Sequence, residues 1–537
     1  MLPMIRCWGV AGVLLALTLS SAQAQSEHFD IDHFRIEGNT LLGAEEIEGL
    51  LRPFTGILRS YVDVQDAIKA LEKRYRDRGY SVVWVTAPEQ DLDKGVVTLR
   101  VVEARVGKVA INGNHYFDDA NIRGSFPALR EGEMPRVKDI SANAQLANES
   151  PAKQVDVVLR AGEEKGMVDA AIYVLDARPL KGFVILDNTG NPQTGDFRIG
   201  GGVQHANLFN HDDVGTFSYV TAPGRENKVG LYSGSYRMPL YGRGDSMDFI
   251  AAYSDVSAGT TPTVAGSLNF SGKGVVYGAR YNQLLSRVGE YAHRLVYGLD
   301  YRAYTNDCSL GDFGSAGCGP AAVDVTVTPV SVAYSGNWAN PSRIADFYVV
   351  ISHNIAMAVN GQGSDFNAAR PSPTGGDGAT PRYTIFRLGA SLVNAFMSNW
   401  QFRAAINGQY TPDALVSGEQ FSIAGATAVR GFLEREIVRD IGCFVNLEIY
   451  TPNLLGKLIS GEGSLRGLVF YDVGMAANDP LAGEDRQKIS IASIGVGLRW
   501  NVGRNFNTRF DLARVVDAGG SKETGDLRGH VSVYVGF

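Results

Sequence analysis

The chain is poor in several things, and each shortage removes a class of protein. It has four cysteines in 537 residues, too few for a disulfide framework. No second Cys/His pair lies near the two closest, Cys308 and Cys318, which argues against structural zinc. Beyond the first two dozen residues no run approaches about 18 consecutive apolar residues, so no transmembrane helix is expected. Basic residues are not in excess: the net charge of −7 argues against a nucleic-acid partner. The hydrolase elbow G-x-S-x-G and the phosphate loop are both missing, so neither an enzyme nor a nucleotide-driven machine is expected. No metal or cofactor is expected either. His28 and His33 enclose Asp30 and Asp32, and His205, His211, Asp212 and Asp213 surround a short turn; both sets read as solvated surface.

What is present begins with an export signal. Arg6 precedes an apolar core from Trp8 to Leu19, and Ala22-Gln-Ala24 is a small-x-small cleavage site, which assigns residues 1–24 as a signal peptide. In an oxidising compartment the Cys308/Cys318 pair is expected to close a Gly/Ser-rich loop by a disulfide, leaving Cys443 as an unpaired strand residue. From 180 to 537 the dominant period is two. Even positions of Trp400–Tyr410 are apolar or small and odd ones mostly polar, and Val531, Val533, Val535 and Phe537 alternate with Ser532, Tyr534 and Gly536. Arg403 and Arg509 inside such runs would be intolerable against lipid but acceptable in a wet lumen. Short connections (239–244, 395–399, 502–505) alternate with long ones (306–322, 360–382, 412–442, 476–488). A soluble sandwich also alternates, but this distribution is that of a membrane β-barrel with about 16 antiparallel strands.

Residues 29–178 carry a repeat. Phe34-Arg-Ile36-Glu-Gly38-Asn39 recurs 75 residues on as Val109-Ala-Ile111-Asn-Gly113-Asn114, and Val101–Arg105 recurs as Val174–Arg178. In the first copy Ile47, Leu50, Leu51 and Phe54 fall at helical spacing. A second helix is expected with Asp63 as its cap, an apolar face of Val64, Ala67, Ile68, Leu71 and Tyr75, and a stop at Gly79. Two strand-like runs finish the unit. The expectation is two small α+β modules, 29–104 and 105–178.

One stretch of the β region does not read as an idle loop. In Val429-Arg430-Gly431-Phe432 a glycine permits a sharp reversal after an arginine, whose planar fork suits a carboxylate. Asp472, in Phe470-Tyr-Asp472-Val-Gly474, is the candidate partner. These two patterns resemble the VRG[F/Y] loop tip and F-x-D-x-G strand of the outer-membrane transporters for two-partner secretion, members of the POTRA-bearing barrel superfamily. The β-α-α-β-β order of the repeated modules resembles POTRA domains, and Leu186-Asp-Asn-Thr-Gly190 resembles the family's first hairpin.

The resemblance implies a loop (412–442) folded into the pore between the eleventh and twelfth strands and held by an Arg430–Asp472 salt bridge. It further implies a pore in the Gram-negative outer membrane with POTRA modules in the periplasm. Its partners would be a large secreted exoprotein, captured unfolded through its N-terminal region, outer-membrane lipid and the barrel-assembly machinery. Only 25–28 separate the signal from the first module, so no plug helix is expected and the Arg430 loop is the expected occluder. The alternatives are an outer-membrane assembly factor, against which two modules are few, and a general porin.

Overall fold

The computed structural model describes residues 28–537 apart from 81, 92–93, 193, 227–228, 256–258, 264–265, 271–272, 306–319, 321–322, 457–462, 479–487 and 520–521. The expected signal peptide and the Cys308/Cys318 pair lie outside the described residues. Two compact units are present, ending and beginning at Arg105 and Val106.

The first unit is a small α+β module. His33–Glu37, Val96–Glu103 and Val83–Thr86 form a three-stranded sheet. A separate pair joins Phe29–Ile31 to Gly56–Arg59, a short strand that the periodicity did not announce. The long helix Tyr61–Asp77 buries Val64, Ala67, Ile68, Leu71 and Tyr75 against that sheet. Its cap is Ser60 rather than Asp63: Asp63 stands three residues inside and accepts the Ser60 N–H at 2.8 Å, closing a capping box. Arg78 ends the helix and Gly79 takes φ 93°, a left-handed conformation suited to glycine.

The repeat has a chemical reason. Gly38 and Gly113 both turn at positive φ, and a Cβ there would stand 2.3 and 2.5 Å from the carbonyl oxygens of Val101 and Val174. The carboxylate closing each unit then collects the amides that follow the turn. Glu103 accepts from Thr40 N and Leu41 N, and Asp176 accepts from His115, Tyr116 and Phe117 N at 2.8–3.1 Å. Burial alone would raise the Asp176 carboxyl, but these donors and His115 outweigh it and hold it below the usual carboxylate range.

The second unit joins the second module to the barrel. Arg105–Asn112, Met167–Asp176 and Lys153–Ala161 make its sheet, covered by the helices Asp119–Ser125 and Val137–Ala147. Leu180–Asp187 through Leu527–Gly536 then close an antiparallel barrel of sixteen strands, with Val325–Val327 and Pro329–Asn340 forming one interrupted strand. The seam pairs the last strand with the first, from Ser532↔Asp187 to Gly536↔Phe183.

Alternation sorts the two faces. Phe386, Leu388, Ile406, Tyr410, Val469, Tyr471, Val496 and Leu498 are exposed outward, where lipid would cover them. Phe470, Asp472, Arg403 and Arg499 face the interior. No helix among the described residues is long and apolar enough to cross a membrane; the strands do so. Cys443, on the twelfth strand, is a free thiol.

Candidate functional site

The connection 411–440, between the eleventh strand Trp400–Tyr410 and the twelfth, Ile441–Tyr450, is folded inward. Its own backbone holds a tight tip. Ile423 C=O accepts Val429 N–H, Val429 C=O accepts Gly425 N–H, and Glu434 accepts Ala426 N–H at 2.6 Å. Val429 and Phe432 are fully buried with Ile423 and Ile437 against Phe444, Ala476, Ile491 and Val515 of the wall. Two glycines make this approach possible. Gly431 turns at φ 99°, and a Cβ on Gly474 would stand 2.9 Å from Val429 Cγ2 and 3.3 Å from Ile423 Cβ.

Arg430 sits between those apolar contacts and a ring of acids. Its Nε donates to Asp472 Oδ2 at 2.7 Å, its Nη2 to Asp472 Oδ1 at 2.8 Å, and its own amide to the same carboxylate at 3.1 Å. Nη2 also lies 2.9 Å from Glu448 Oε1, and Nη1 3.4 Å from Asp511 Oδ1. The guanidinium lies 3.5 Å over the Phe470 ring, a cation–π contact in a site that excludes bulk water from one side. All seven residues named from the two motifs therefore meet at one place: the tip supplies Val429, Arg430, Gly431 and Phe432, and the thirteenth strand supplies Phe470, Asp472 and Gly474.

Each acid has a second donor. Glu448 holds Arg403 at 3.0 Å and Tyr450 Oη at 2.6 Å. Asp511 holds Arg499 at 2.8 Å, and Asp472 holds Asn446 Nδ2 at 2.8 Å. The Gly431 amide donates to His530 Nε2 at 2.9 Å. A polar cavity of about 450 Å³ opens beside the tip, lined among others by Asp187, Arg403, Arg509 and His530.

Further anchors were not announced by any motif. Asp440 binds Arg370 at 2.7 Å and the Leu415 amide at 3.1 Å. Arg370 comes from the connection 355–383, whose helix Gly363–Ala369 packs Phe366 against Leu415 and Val416. Glu419 binds Arg302 at 3.0 Å and Tyr304 Oη at 2.7 Å. These pairs join residues up to 117 positions apart, so no local pattern could carry them.

The turn at 209–212 corrects an expectation. Asp212 and Asp213 are buried, not surface, although His211 is exposed and His205 half-buried. Asp212 binds Lys153 Nζ of the second module at 2.6 Å, and also Asn121, Ser125 and Tyr241. Lys153 has no exposed side-chain surface and lies 5.1 Å from the Phe117 ring. Burial pushes its ammonium down, against the pull of Asp212. Nearby, Glu149 reaches Arg294 at 3.0 Å and Arg237 at 3.6 Å on the barrel wall. The signal in sequence was available but faint: an acidic pair after Asn210, where three of four residues from 209 to 212 take positive φ.

A closed sixteen-strand barrel, a charge-anchored inward loop and small α+β modules ahead of it define an outer-membrane transport barrel of the POTRA-bearing kind. The comparisons carry this further. Residues 166–311 and 328–500 match the family model for the haemolysin secretion/activation protein ShlB/FhaC/HecB, and 29–104 match the ShlB-type POTRA domain. The chain belongs to that haemolysin secretion/activation family, and is an outer-membrane transporter of two-partner secretion with its POTRA region in the periplasm. It is 22% identical to the heme/hemopexin transporter protein HuxB of Haemophilus influenzae (strain 86-028NP), over 88% of this chain and 81% of that one. It is also 22% identical to the outer membrane transporter CdiB of Dickeya dadantii (strain 3937), over 79% and 73%. The solved structure of CdiB from Escherichia coli superposes with a TM-score of 0.75 at 19% identity, covering 98% and 94% of the two chains.

Proposed function

We propose that this transporter exports one large exoprotein, taken up unfolded by the periplasmic modules and passed through the barrel as the 411–440 loop withdraws. The observation that carries the gating reading is the redundancy around Arg430. When the guanidinium leaves, Asp472 keeps Asn446, Glu448 keeps Arg403 and Tyr450, and Asp511 keeps Arg499. Removing one partner of a buried pair is costly chiefly because the other charge is stranded. Here Glu448 and Asp511 each retain a guanidinium, and Asp472 alone is left with a neutral partner, Asn446, so two of the three acids stay paired when the loop leaves. The modules suit an extended client because a small sheet with an open edge accepts a strand through main-chain hydrogen bonds. With no nucleotide motif in the sequence, folding of the client outside would supply the direction.

Co-expression with the partner exoprotein, followed by assay of the medium, tests this reading. Arg430→Ala is expected to insert normally and to cripple secretion. Normal export by that variant would remove the gate from the account. Depletion separates the assembly-factor alternative, which the family relationship does not favour: a secretion pore strands one polypeptide in the periplasm, an assembly factor many barrels.

A further inference from the structure

His530 is a buried histidine that the two motifs do not include, yet it touches the tip directly. Its Nε2 accepts the Gly431 N–H at 2.9 Å. An imidazole nitrogen that accepts an amide proton carries none of its own, so this geometry requires the neutral ring, or at least a free Nε2 lone pair. His530 also stands directly across the ladder from Asp511, and residues so paired in an antiparallel sheet share a face with Cβ atoms about 4.5–5.5 Å apart. Asp511 is the acid shared by Arg430 and Arg499.

Resting on the gate reading above, we propose that His530 is a positioning residue of the loop tip and makes the gate acid-sensitive. In the neutral form it fixes Gly431, and through it the orientation of Arg430. When Nε2 takes a proton from solvent, the acceptor is lost, the Gly431 N–H is left without its partner, and two N–H donors replace one. The new imidazolium has a carboxylate across the ladder. It competes with Arg430 for Asp511, the longest of the three contacts that the guanidinium makes with acids, at 3.4 Å.

The charged groups around the ring set the direction. Arg430 on the loop and Arg528 on its own strand face it with positive charge, and Asp511 faces it with negative charge. Asp187, Glu448, Arg499 and Arg509 line the same cavity, and Glu434 approaches Arg528 from the loop. A third cation added among Arg430 and Arg528 repels the guanidinium that closes the pore. The cavity gives protons access from solvent without the loop first opening.

Single-channel conductance of the full chain in planar bilayers tests this, comparing wild type, His530→Gln, His530→Ala and Arg430→Ala at about pH 7.5 and about pH 3.5, the lower value set well below the ordinary imidazole titration near 6.5 because cations flank the ring. The Gln amide oxygen can occupy the Nε2 position and accept the same N–H, but does not titrate. Wild type is expected to gain open probability about five-fold or more in acid, the equivalent of one hydrogen bond. His530→Gln is expected to stay closed at both pH values, and His530→Ala to be raised at both. An unchanged wild type, or a His530→Gln variant with the full acid response, overturns the proposal. Arg430→Ala distinguishes the two levels of argument. If it is open at both pH values while His530 variants behave as wild type, the gate stands and this inference fails; if it stays closed, the gate reading itself fails.

Discussion

Lys153–Asp212 and Arg430–Asp472 are both buried ion pairs of the barrel unit, and they differ in what surrounds the cation. Among the described residues Lys153 is the one cation in contact with Asp212; the other groups on that carboxylate are neutral, from Asn121, Ser125 and Tyr241. Phe117 closes the site from one side. Loss of either charge leaves the other stranded in a dry place. Arg430 instead enters a set of three acids in which Arg403 and Arg499 already neutralise Glu448 and Asp511, while Asp472 also has the neutral Asn446, beside a cavity of about 450 Å³. The first pair is a fixed joint between the second module and the short-turn end of the wall. The second is a contact whose loss leaves two of the wall's three acids paired and only Asp472 without a cation, a smaller disruption, as a gate demands.

The sharpest way to break this contrast is to remove one charge from each pair. Lys153→Met is expected to destabilise the barrel unit by about 3–5 kcal/mol, seen as lost heat-modifiable barrel in the membrane and ready proteolysis of the second module. Lys153→Met with Asp212→Leu should recover much of that loss, since an apolar replacement strands no charge. If the single and double variants are equally damaged, the pair is not the joint. Arg430→Ala is expected to cost less, about 2–3 kcal/mol in denaturant unfolding, because one acid of three loses its cation, while raising conductance several-fold. A cost as large as that of Lys153→Met would erase the distinction.

Asp176 puts the comparison on a pH axis. Its folded carboxyl is held below its unfolded value of about 3.9. The stabilisation is therefore present above that value and is lost as pH falls through the folded one. Asp176→Asn in the full chain is expected to cost about 1–2 kcal/mol at neutral pH and to flatten the acid dependence of amide exchange at His115, Tyr116 and Phe117. The unaltered dependence in that variant would assign the acid response elsewhere. The smallest effect is expected of Gly474→Ala. Its Cβ would press on Val429 and Ile423, costing about 1 kcal/mol as mild overpacking. It should appear as a modest rise in spontaneous channel opening, with secretion retained.

Much of this molecule was legible in the chain. Period-two alternation with arginines on one face, short and long connections in turn, and the doubled Gly-Asn turn each report on local chemistry, so the barrel, its strand number and the two modules could be read directly. The motif pair pointed to one meeting place because each half carries its own reason: a glycine after an arginine, and a glycine beside an aspartate. The cap of Tyr61–Asp77 was misplaced by three residues because Ser60 and Asp63 both have capping chemistry, and only the backbone angles decide between them.

What composition and pattern dictated was therefore everything governed by neighbours along the chain: which segments are strands, which face of each meets lipid, where the chain must reverse. What only the tertiary structure decided was the partner of each buried charge. Asp212 looked like surface because nothing within a few residues neutralises it; its lysine lies 59 positions away in another module. His530, 99 positions from Gly431, had no pattern to betray it. A charge carries no local mark of whether it will be buried, since burial depends on what the closing barrel brings against it.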